Sequence, residues 1–188
     1  MEPVTVRTMV LLLYGAGLRL REALALNRAD VDFGESVLTI RLTKFYKTRL
    51  APFGPKLGRV LVQYADRHVE AASVPGDDAP FFTTRKGTRV NGYTIEGIFR
   101  RLCEHAGIRR SDGARYQPRL HDLRHAFAVH RLTSWYRQGL DVQKLLPHLS
   151  VYMGHVHLAA TQTYLSMTPE LLHEANTRFE SYAREERP

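Results

Sequence analysis

Four short clusters in the sequence carry the groups that a phosphodiester reaction needs, namely cations, a nucleophile and a proton donor. In-line attack on a phosphodiester adds negative charge to the non-bridging oxygens. Guanidinium groups match that geometry with paired hydrogen bonds and stay charged at any working pH. The clusters are Gly17-Leu-Arg-Leu-Arg-Glu22, Thr43-Lys-Phe-Tyr-Lys47, His121-Asp-Leu-Arg-His125, and Gly154-His155 with Tyr164 nine residues later.

The remaining parts of such a reaction also have candidates in these clusters. A tyrosine can attack phosphorus if its phenol, with a reference pKa of about 10, loses its proton in a cationic, hydrogen-bonding site. The leaving sugar oxygen is more basic than phenolate, so it needs a proton, and a lysine at a hairpin tip is a suitable general acid. His121 and Arg124 are three residues apart and share one face of a helix. This chemistry requires no metal, nucleotide or cysteine.

The elements that position these clusters are read from the spacing of apolar residues. Over 36–42, Leu38 and Ile40 alternate with Val37 and Thr39, which predicts a strand with one apolar face, and 49–53 returns as its partner. The polar, basic stretch 43–48 then forms the tip of a β-hairpin. The first expected helix covers 4–14 and is broken by Gly15 and Gly17. A helix that starts at 55 ends before the loop at 73–80. The other expected helices are 19–26, 94–106, 121–136, 141–153, 159–165 and 169–184. The predicted fold is mainly α with a small antiparallel β-sheet (α+β).

The charge of the chain favours a polyanionic partner. The 188 residues include 27 Lys and Arg against 19 Asp and Glu, a formal charge of +8. Residues 1–168 hold 24 basic and 14 acidic side chains (24 − 14 = +10), whereas 169–188 hold 3 and 5 (3 − 5 = −2). The body is therefore basic and the tail acidic.

Composition also excludes several classes of protein. Cys103 is the only cysteine, so the chain can form neither an internal disulfide nor a thiolate metal cluster, which fits a reducing compartment. The most apolar stretch, 9–18, has about half of the ~20 residues that a membrane-spanning helix needs. We therefore expect a cytoplasmic protein that makes no membrane contact.

Taken together and in order, the motifs resemble the catalytic domain of the tyrosine recombinase, or phage integrase, family. The similarity runs from about Val4 to Phe179. It is carried by Gly-Leu-Arg-x-x-Glu at 17–22, Thr-Lys-x-x-Lys-x-Arg at 43–49, His-x-x-Arg-His at 121–125, Gly-His at 154–155 and the tyrosine at 164. The family implies a site-specific DNA recombinase or integrase that cleaves and rejoins strands through a 3′-phosphotyrosyl intermediate, without a cofactor, metal or ATP.

The resemblance assigns a role to each matching residue. It implies that Arg19 and Arg124 clamp the scissile phosphate, and that Lys44 protonates the 5′ oxygen. His121 would assist proton transfer and His155 would donate a hydrogen bond to the phosphate. The nucleophile would be Tyr164, Glu22 would brace Arg19 from behind, and the DNA-contacting residues would be Lys47 and Arg49.

The resemblance also implies an organisation and partners. Residues 1–168 would form the catalytic domain and 169–188 a C-terminal helical tail that docks on a neighbouring protomer. The N-terminal DNA-clamping domain that family members usually carry is expected to be absent. The partner would be double-stranded DNA, with a monomer in free solution and a homotetramer on the recombination site.

Two alternatives stay open from the residues alone. One is a catalytically inert DNA-binding relative. The other is a zinc-dependent hydrolase, because His121 and His125 have the i, i+4 spacing of a metalloprotease helix and His155-Val-His157 could add ligands. Against zinc, Asp122 stands where such a helix carries glutamate, and Arg124 would repel the cation. A further departure is the segment of 30 residues between Arg124 and His155, which is longer than in many compact relatives and is interrupted by Pro147.

Overall fold

The structure of the chain is a computed structural model that describes residues 1–41, 48–68, 76, 78–110, 118–155, 157–166, 173–174 and 176–177. The chain divides into two compact units, Met1–Arg124 and His125–Pro188. Each unit is described separately below.

The first helix of the first unit is longer than the sequence predicts. Helix α1 (Pro3–Ala16) begins with a proline in its first turn and ends at Gly17, whose φ of 61° is the left-handed conformation that glycine adopts easily. The helix continues through Gly15 instead of breaking there, and a Cβ at that glycine would lie 3.2 Å from Leu57. Glycine at 15 therefore allows close packing, and Gly17 ends the helix.

A three-stranded antiparallel sheet follows the short helix α2 (Leu20–Ala25) and a 3₁₀ turn at Arg28–Asp30. Its strands are β1 (Val31–Asp32), β2 (Val37–Ile40) and β3 (Arg49–Pro52), in the order β1-β2-β3. Leu38 pairs with Ala51 and Ile40 with Arg49, and the side chains of Leu38 and Ile40 are buried. The predicted hairpin is confirmed, and residues 42–47, which include most of its predicted tip at 43–48, lie outside the described residues.

Two helices complete the first unit, α3 (Pro55–His68) and α4 (Gly92–His105). The buried Tyr64 of α3 packs on the rings of Phe81 and Phe82, with ring centroids 5.5 and 5.2 Å away. Its hydroxyl accepts a hydrogen bond from Thr83 N at 3.3 Å. Asn91 caps the start of α4, and its side chain accepts a hydrogen bond from Tyr93 N.

Helix α5 (Leu120–Arg137) starts in the first unit and ends in the second. The second unit adds α6 (Val142–Met153), α7 (Ala159–Gln162) and a 3₁₀ turn at Thr163–Ser166. The predicted helix at 159–165 is thus α-helical only in its first half. The buried core of the second unit consists of Phe127, Ala128, Leu132, Val142, Leu146, Leu149, Met153 and Tyr164.

The predicted helix at 141–153 is confirmed, and α6 runs through Pro147 without a break. Proline at this position removes the hydrogen bond to the carbonyl of Gln143, which is exposed in the first turn and therefore open to water. Leu146 and Leu149, on either side, are buried and anchor the helix. Asp141 caps α6 as predicted, accepting from Lys144 N at 3.2 Å.

The acidic tail lies largely outside the described residues, so the predicted helix at 169–184 is not described as a whole. One of its contacts is described: Glu174 Oε1 accepts from Arg137 Nε at 2.7 Å, within the second unit. None of the helices in the described part of the chain combines the length and hydropathy needed to span a bilayer.

Candidate active site

In the first unit, Arg19 directly precedes α2 and is held by Glu22 in two ways. The backbone N–H of Arg19 donates to Glu22 Oε2 at 2.8 Å, and Nη1 of Arg19 donates to Oε1 at 2.8 Å. The side chain of Arg19 is 34% exposed, whereas that of Glu22 is only 8% exposed. One carboxylate therefore caps the first turn of α2 and orients the guanidinium beside it.

Arg49, at the start of β3, binds the same carboxylate. Its Nη1 donates to Glu22 Oε1 at 3.0 Å and its Nη2 to Oε2 at 2.9 Å, the two-pronged geometry of a strong arginine–carboxylate pair. The side chain of Arg49 is 10% exposed. This placement differs from the surface position expected of a DNA-contacting residue.

Glu22 stays ionised although it is buried. Burial raises the pKa of its carboxyl, but the hydrogen bonds and charge of Arg49, together with the hydrogen bonds from Arg19, outweigh that effect and hold the pKa below its ordinary value. A cavity of about 490 Å³ opens beside this pair, and its charged lining residues are Arg19, Arg21, Glu22, Asp30 and Arg41.

Arg124 lies in the first turns of α5 and is almost completely buried, with 1% of its surface exposed. Its Nη1 donates a hydrogen bond of 2.6 Å to the carbonyl oxygen of Gly17. Gly17 ends α1 and stands two residues before Arg19. The two arginines predicted to act on one phosphate are therefore anchored to the same short segment of the first unit.

His121 is exposed in the first turn of α5. That turn is capped by the preceding arginine and a following acid: Arg119 N donates to Asp122 Oδ2 at 2.9 Å and Arg119 Nη2 to Oδ1 at 3.1 Å. Burial raises the pKa of Asp122. The hydrogen bonds and charge of Arg119, together with the charge of Arg110, outweigh this effect and hold the pKa below its ordinary value. The spacing Arg119-x-x-Asp122 repeats the Arg19-x-x-Glu22 spacing at the start of α2.

In the second unit, His155 follows the end of α6. Gly154 has φ 68° and ends the helix, and His155 N donates to the carbonyl of Ser150 at 3.0 Å. The imidazole Nδ1 lies 2.7 Å from Oγ1 of the buried Thr161. This contact fixes the orientation of the imidazole ring.

Tyr164 lies in the 3₁₀ turn that follows α7, and 4% of its surface is exposed. Two histidine rings contact it: His155 is stacked with its centroid 6.0 Å away and an interplanar angle of 24°, and His125 is tilted at 5.4 Å and 58°. The second unit therefore brings together the predicted nucleophile and the predicted phosphate donor, with His125 as an additional neighbour.

Lys44 and Lys47, the predicted general acid and DNA contact, lie outside the described residues. Among the residues that are described, no three His, Cys, Asp or Glu side chains form a group that could hold a metal ion. Two neighbours of the predicted residues, Thr161 and His125, were missed as contacts. No spacing rule identifies Thr161, whereas His125 is part of the quoted His-x-x-Arg-His motif.

Comparison with known proteins decides the family. The model of the phage integrase family matches residues 1–170. The chain belongs to this family. The y4rB protein of Sinorhizobium fredii, whose name calls it an integrase/recombinase, is 42% identical over 180 residues, which is 96% of this chain and 57% of y4rB. The tyrosine recombinase XerA of Pyrococcus furiosus is 32% identical over 173 residues, 92% of this chain and 54% of XerA.

Solved structures of tyrosine recombinases share the fold. A crystal structure of XerA recombinase superposes with a TM-score of 0.74 at 26% identity, covering 94% of this chain and 57% of that one. XerH, solved with its palindromic difH substrate, gives 0.69 at 24% identity and shares the fold, covering 96% of this chain and 48% of XerH. The chain therefore has the tyrosine recombinase catalytic-domain fold and spans about half the length of these relatives.

Proposed function

We propose that this chain is the catalytic part of a site-specific DNA recombinase that cleaves and rejoins strands through a 3′-phosphotyrosyl intermediate at Tyr164. Membership of the phage integrase family supports the reaction class. The tetramer, the target duplex and the individual roles belong to this proposal. Residues 1–168 would act as the catalytic domain and 169–188 as a segment that docks on another protomer.

The observation that carries the proposal is the anchoring of Arg124 on Gly17. The hydrogen bond from Nη1 of Arg124 to the carbonyl of Gly17 ties this buried arginine to the segment that holds Arg19. A guanidinium keeps its charge at any working pH and attracts an anionic phosphate, so Arg19 and Arg124 on one segment can bind the same phosphate. Two guanidiniums at one segment match the paired non-bridging oxygens of a phosphodiester.

The proposed reaction balances without a co-reactant. The phenolic oxygen of Tyr164 forms a bond to phosphorus and gives up its proton to water. The bond from phosphorus to the 5′ oxygen breaks, and Lys44 protonates that oxygen and then regains a proton from water. His121 assists proton transfer, and His155 donates a hydrogen bond to the phosphate. Rejoining reverses these steps with a 5′ hydroxyl as the attacking group. The phosphotyrosyl ester retains the energy of the broken bond, so ATP is not needed.

The proposed substrate is duplex DNA. The basic body, +10 over residues 1–168, provides the attraction to phosphates. XerH was solved on its DNA substrate, and by similarity of fold we propose that this chain holds duplex DNA in the same way. Exchange of strands between two duplexes requires four cleavages, which four protomers supply.

The test is a denaturing protein gel after incubation of the chain with a pool of nicked duplexes of randomised sequence. The nick lets the short cleaved fragment diffuse away, so the covalent protein–DNA adduct accumulates. We expect an adduct that forms equally well with and without a chelator and without ATP, and that is absent from Tyr164→Phe. Tyr152→Phe is the matched control and should retain the adduct.

Each alternative predicts a different result. An inert DNA-binding relative binds the pool in a native gel but gives no adduct with any variant. A metal-dependent hydrolase releases free DNA ends, gives no covalent adduct and is stopped by the chelator. Either result would overturn the proposal.

A further inference from the structure

Arg49 occupies a position that its sequence motif does not explain. It opens strand β3 directly after the hairpin tip and pairs with Ile40 across the sheet. Its side chain turns inward, so only 10% is exposed, and its two terminal nitrogens reach the two oxygens of Glu22 at 3.0 and 2.9 Å. The side chain therefore contacts a carboxylate inside the unit.

Glu22 is shared between two arginines. Each of its oxygens accepts one bond from Arg49 and one from Arg19, the latter from the backbone N–H and from Nη1. The three side chains carry a net charge of +1 (two cations and one anion). A pair of Arg19 and Glu22 alone would be neutral, so Arg49 preserves positive charge at the place where Arg19 would meet a phosphate.

We infer that Arg49 is a positioning residue that acts through Glu22 to orient Arg19 for the phosphate. The inference rests on the proposed function, because it assigns Arg49 to the phosphate clamp of that reaction. It also connects strand β3, which leads out of the hairpin tip, to the segment that carries Arg19. The role differs from direct contact with DNA.

Arg41 supplies the matched comparison at the other end of the same hairpin tip. Its Nε donates to Asp30 Oδ1, and its side chain is 60% exposed. Both arginines flank the tip and both have a carboxylate partner. Arg49 shares the carboxylate of Glu22 with Arg19, whereas Arg41 binds Asp30. Comparing the two variants therefore separates the loss of a hairpin arginine from the loss of the contact to Glu22.

The charge state of Glu22 follows from the same contacts. Burial raises its pKa, and Arg49 is the larger of the two arginine influences that bring it below the ordinary value. The other charged side chains around the adjoining cavity are Arg21, Asp30 and Arg41. Removing Arg49 therefore raises the pKa of Glu22, and Arg19 then loses its charged brace as the pH falls through that raised value.

The experiment compares Arg49→Met and Arg49→Lys with Arg41→Met in the full chain. The rate of covalent adduct formation at saturating duplex pool and the Kd for the same pool are measured separately across pH. We expect Arg49→Met to slow adduct formation by about 10- to 100-fold, as expected for a misplaced catalytic group, with Kd little changed. Its rate should fall further at acidic pH, Arg49→Lys should recover part of the rate, and Arg41→Met should match the unmodified chain.

Two further arms keep the inference testable. Arg49→Met leaves a buried carboxylate short of one partner, so E22Q/R49M removes both charges and protects the fold. If Arg49 acts only through Glu22, E22Q/R49M and Glu22→Gln cleave at the same rate. The side-chain Nε–H signal of Arg19, observed by NMR without DNA, should be sharp in the unmodified chain and broadened in Arg49→Met.

The outcomes separate this inference from the proposed function. A higher Kd with an unchanged rate at saturating DNA would identify Arg49 as a DNA contact and overturn the inference. A slower E22Q/R49M than Glu22→Gln would also overturn it, as would an unchanged Arg19 signal. If the unmodified chain forms no adduct, the proposed function fails, and the Arg19 signal still decides whether Arg49 orders that side chain.

Discussion

Replacing Tyr164 by phenylalanine removes one oxygen from the proposed nucleophile and almost nothing from the packing. The ring is buried, with 4% of its surface exposed, and contacts the rings of His155 and His125 at 6.0 and 5.4 Å. Phenylalanine fills the same volume and keeps both ring contacts. The variant therefore tests chemistry in a folded protein.

The expected effect on stability is small. A typical intramolecular hydrogen bond contributes about 1 kcal/mol net, so loss of the hydroxyl should lower the free energy of unfolding by about that amount. For a chain of this size, that corresponds to a decrease in Tm of roughly 2–4 °C. Tyr164→Ala would also remove the ring from the core of the second unit and should cost about 3–5 kcal/mol. Adduct formation, in contrast, should be lost completely in Tyr164→Phe.

The assay combines thermal unfolding, DNA binding and covalent trapping on the nicked duplex pool. We expect Tyr164→Phe to melt within a few degrees of the unmodified chain, to bind DNA with a similar Kd and to give no adduct. Peptide mapping of the adduct formed by the unmodified chain should locate the DNA on Tyr164. The reasoning is wrong if Tyr164→Phe still forms the adduct, or if the label maps to Tyr152, whose ring stacks on Phe127 at 5.5 Å.

Three other predictions follow from the charges and proton transfers. Lys44→Ala should cleave ordinary DNA slowly but a duplex with sulfur at the bridging 5′ position at nearly full speed, because a thiol with pKa of about 8.5 leaves without a general acid. Arg124→Ala should lose about 10²–10³ in rate on both substrates, because charge stabilisation of the phosphate is lost in each case. Lys47→Ala is the control on the same hairpin, and the sulfur substrate should not restore its rate. Log K for duplex DNA should fall with log salt by about 0.9 per neutralised phosphate, and a flat titration would contradict this. Deleting 169–188 should leave duplex binding intact but weaken assembly on DNA, and unchanged sedimentation would show that the segment packs on its own chain.

The hairpin shows what could be predicted of the fold. Leu38 and Ile40 alternate with less buried neighbours, and that pattern alone identifies β2 and its inward face. Strand β1 was missed because Val31–Asp32 is too short for any alternation. It exists because Val31 and Asp32 pair with Leu38 and Val37, a contact that only the folded chain makes.

The candidate site was predictable in its residue types but not in all of its contacts. Spacing identified Arg19, Glu22 and Tyr164 as members of motifs, and Glu22 does hold Arg19. For Arg49, the motif predicted contact with DNA, because a basic residue beside a hairpin tip is usually exposed to solvent. Its inward turn depends on where Glu22 lies on α2, 27 residues earlier in the chain. No local pattern contains that information.

The spacing of Arg-x-x-acid at the start of two helices has a physical reason that links folding to the site. An acid at the third helical position accepts the N–H of the residue before the helix, because that donor has no partner within the helix. In Arg19-x-x-Glu22 and Arg119-x-x-Asp122, the residue before the helix is itself an arginine, so the same carboxylate also binds its guanidinium. Moving the acid by one position would lose the cap and the brace together. The interval within Gly-Leu-Arg-x-x-Glu is therefore set by helix capping as much as by chemistry.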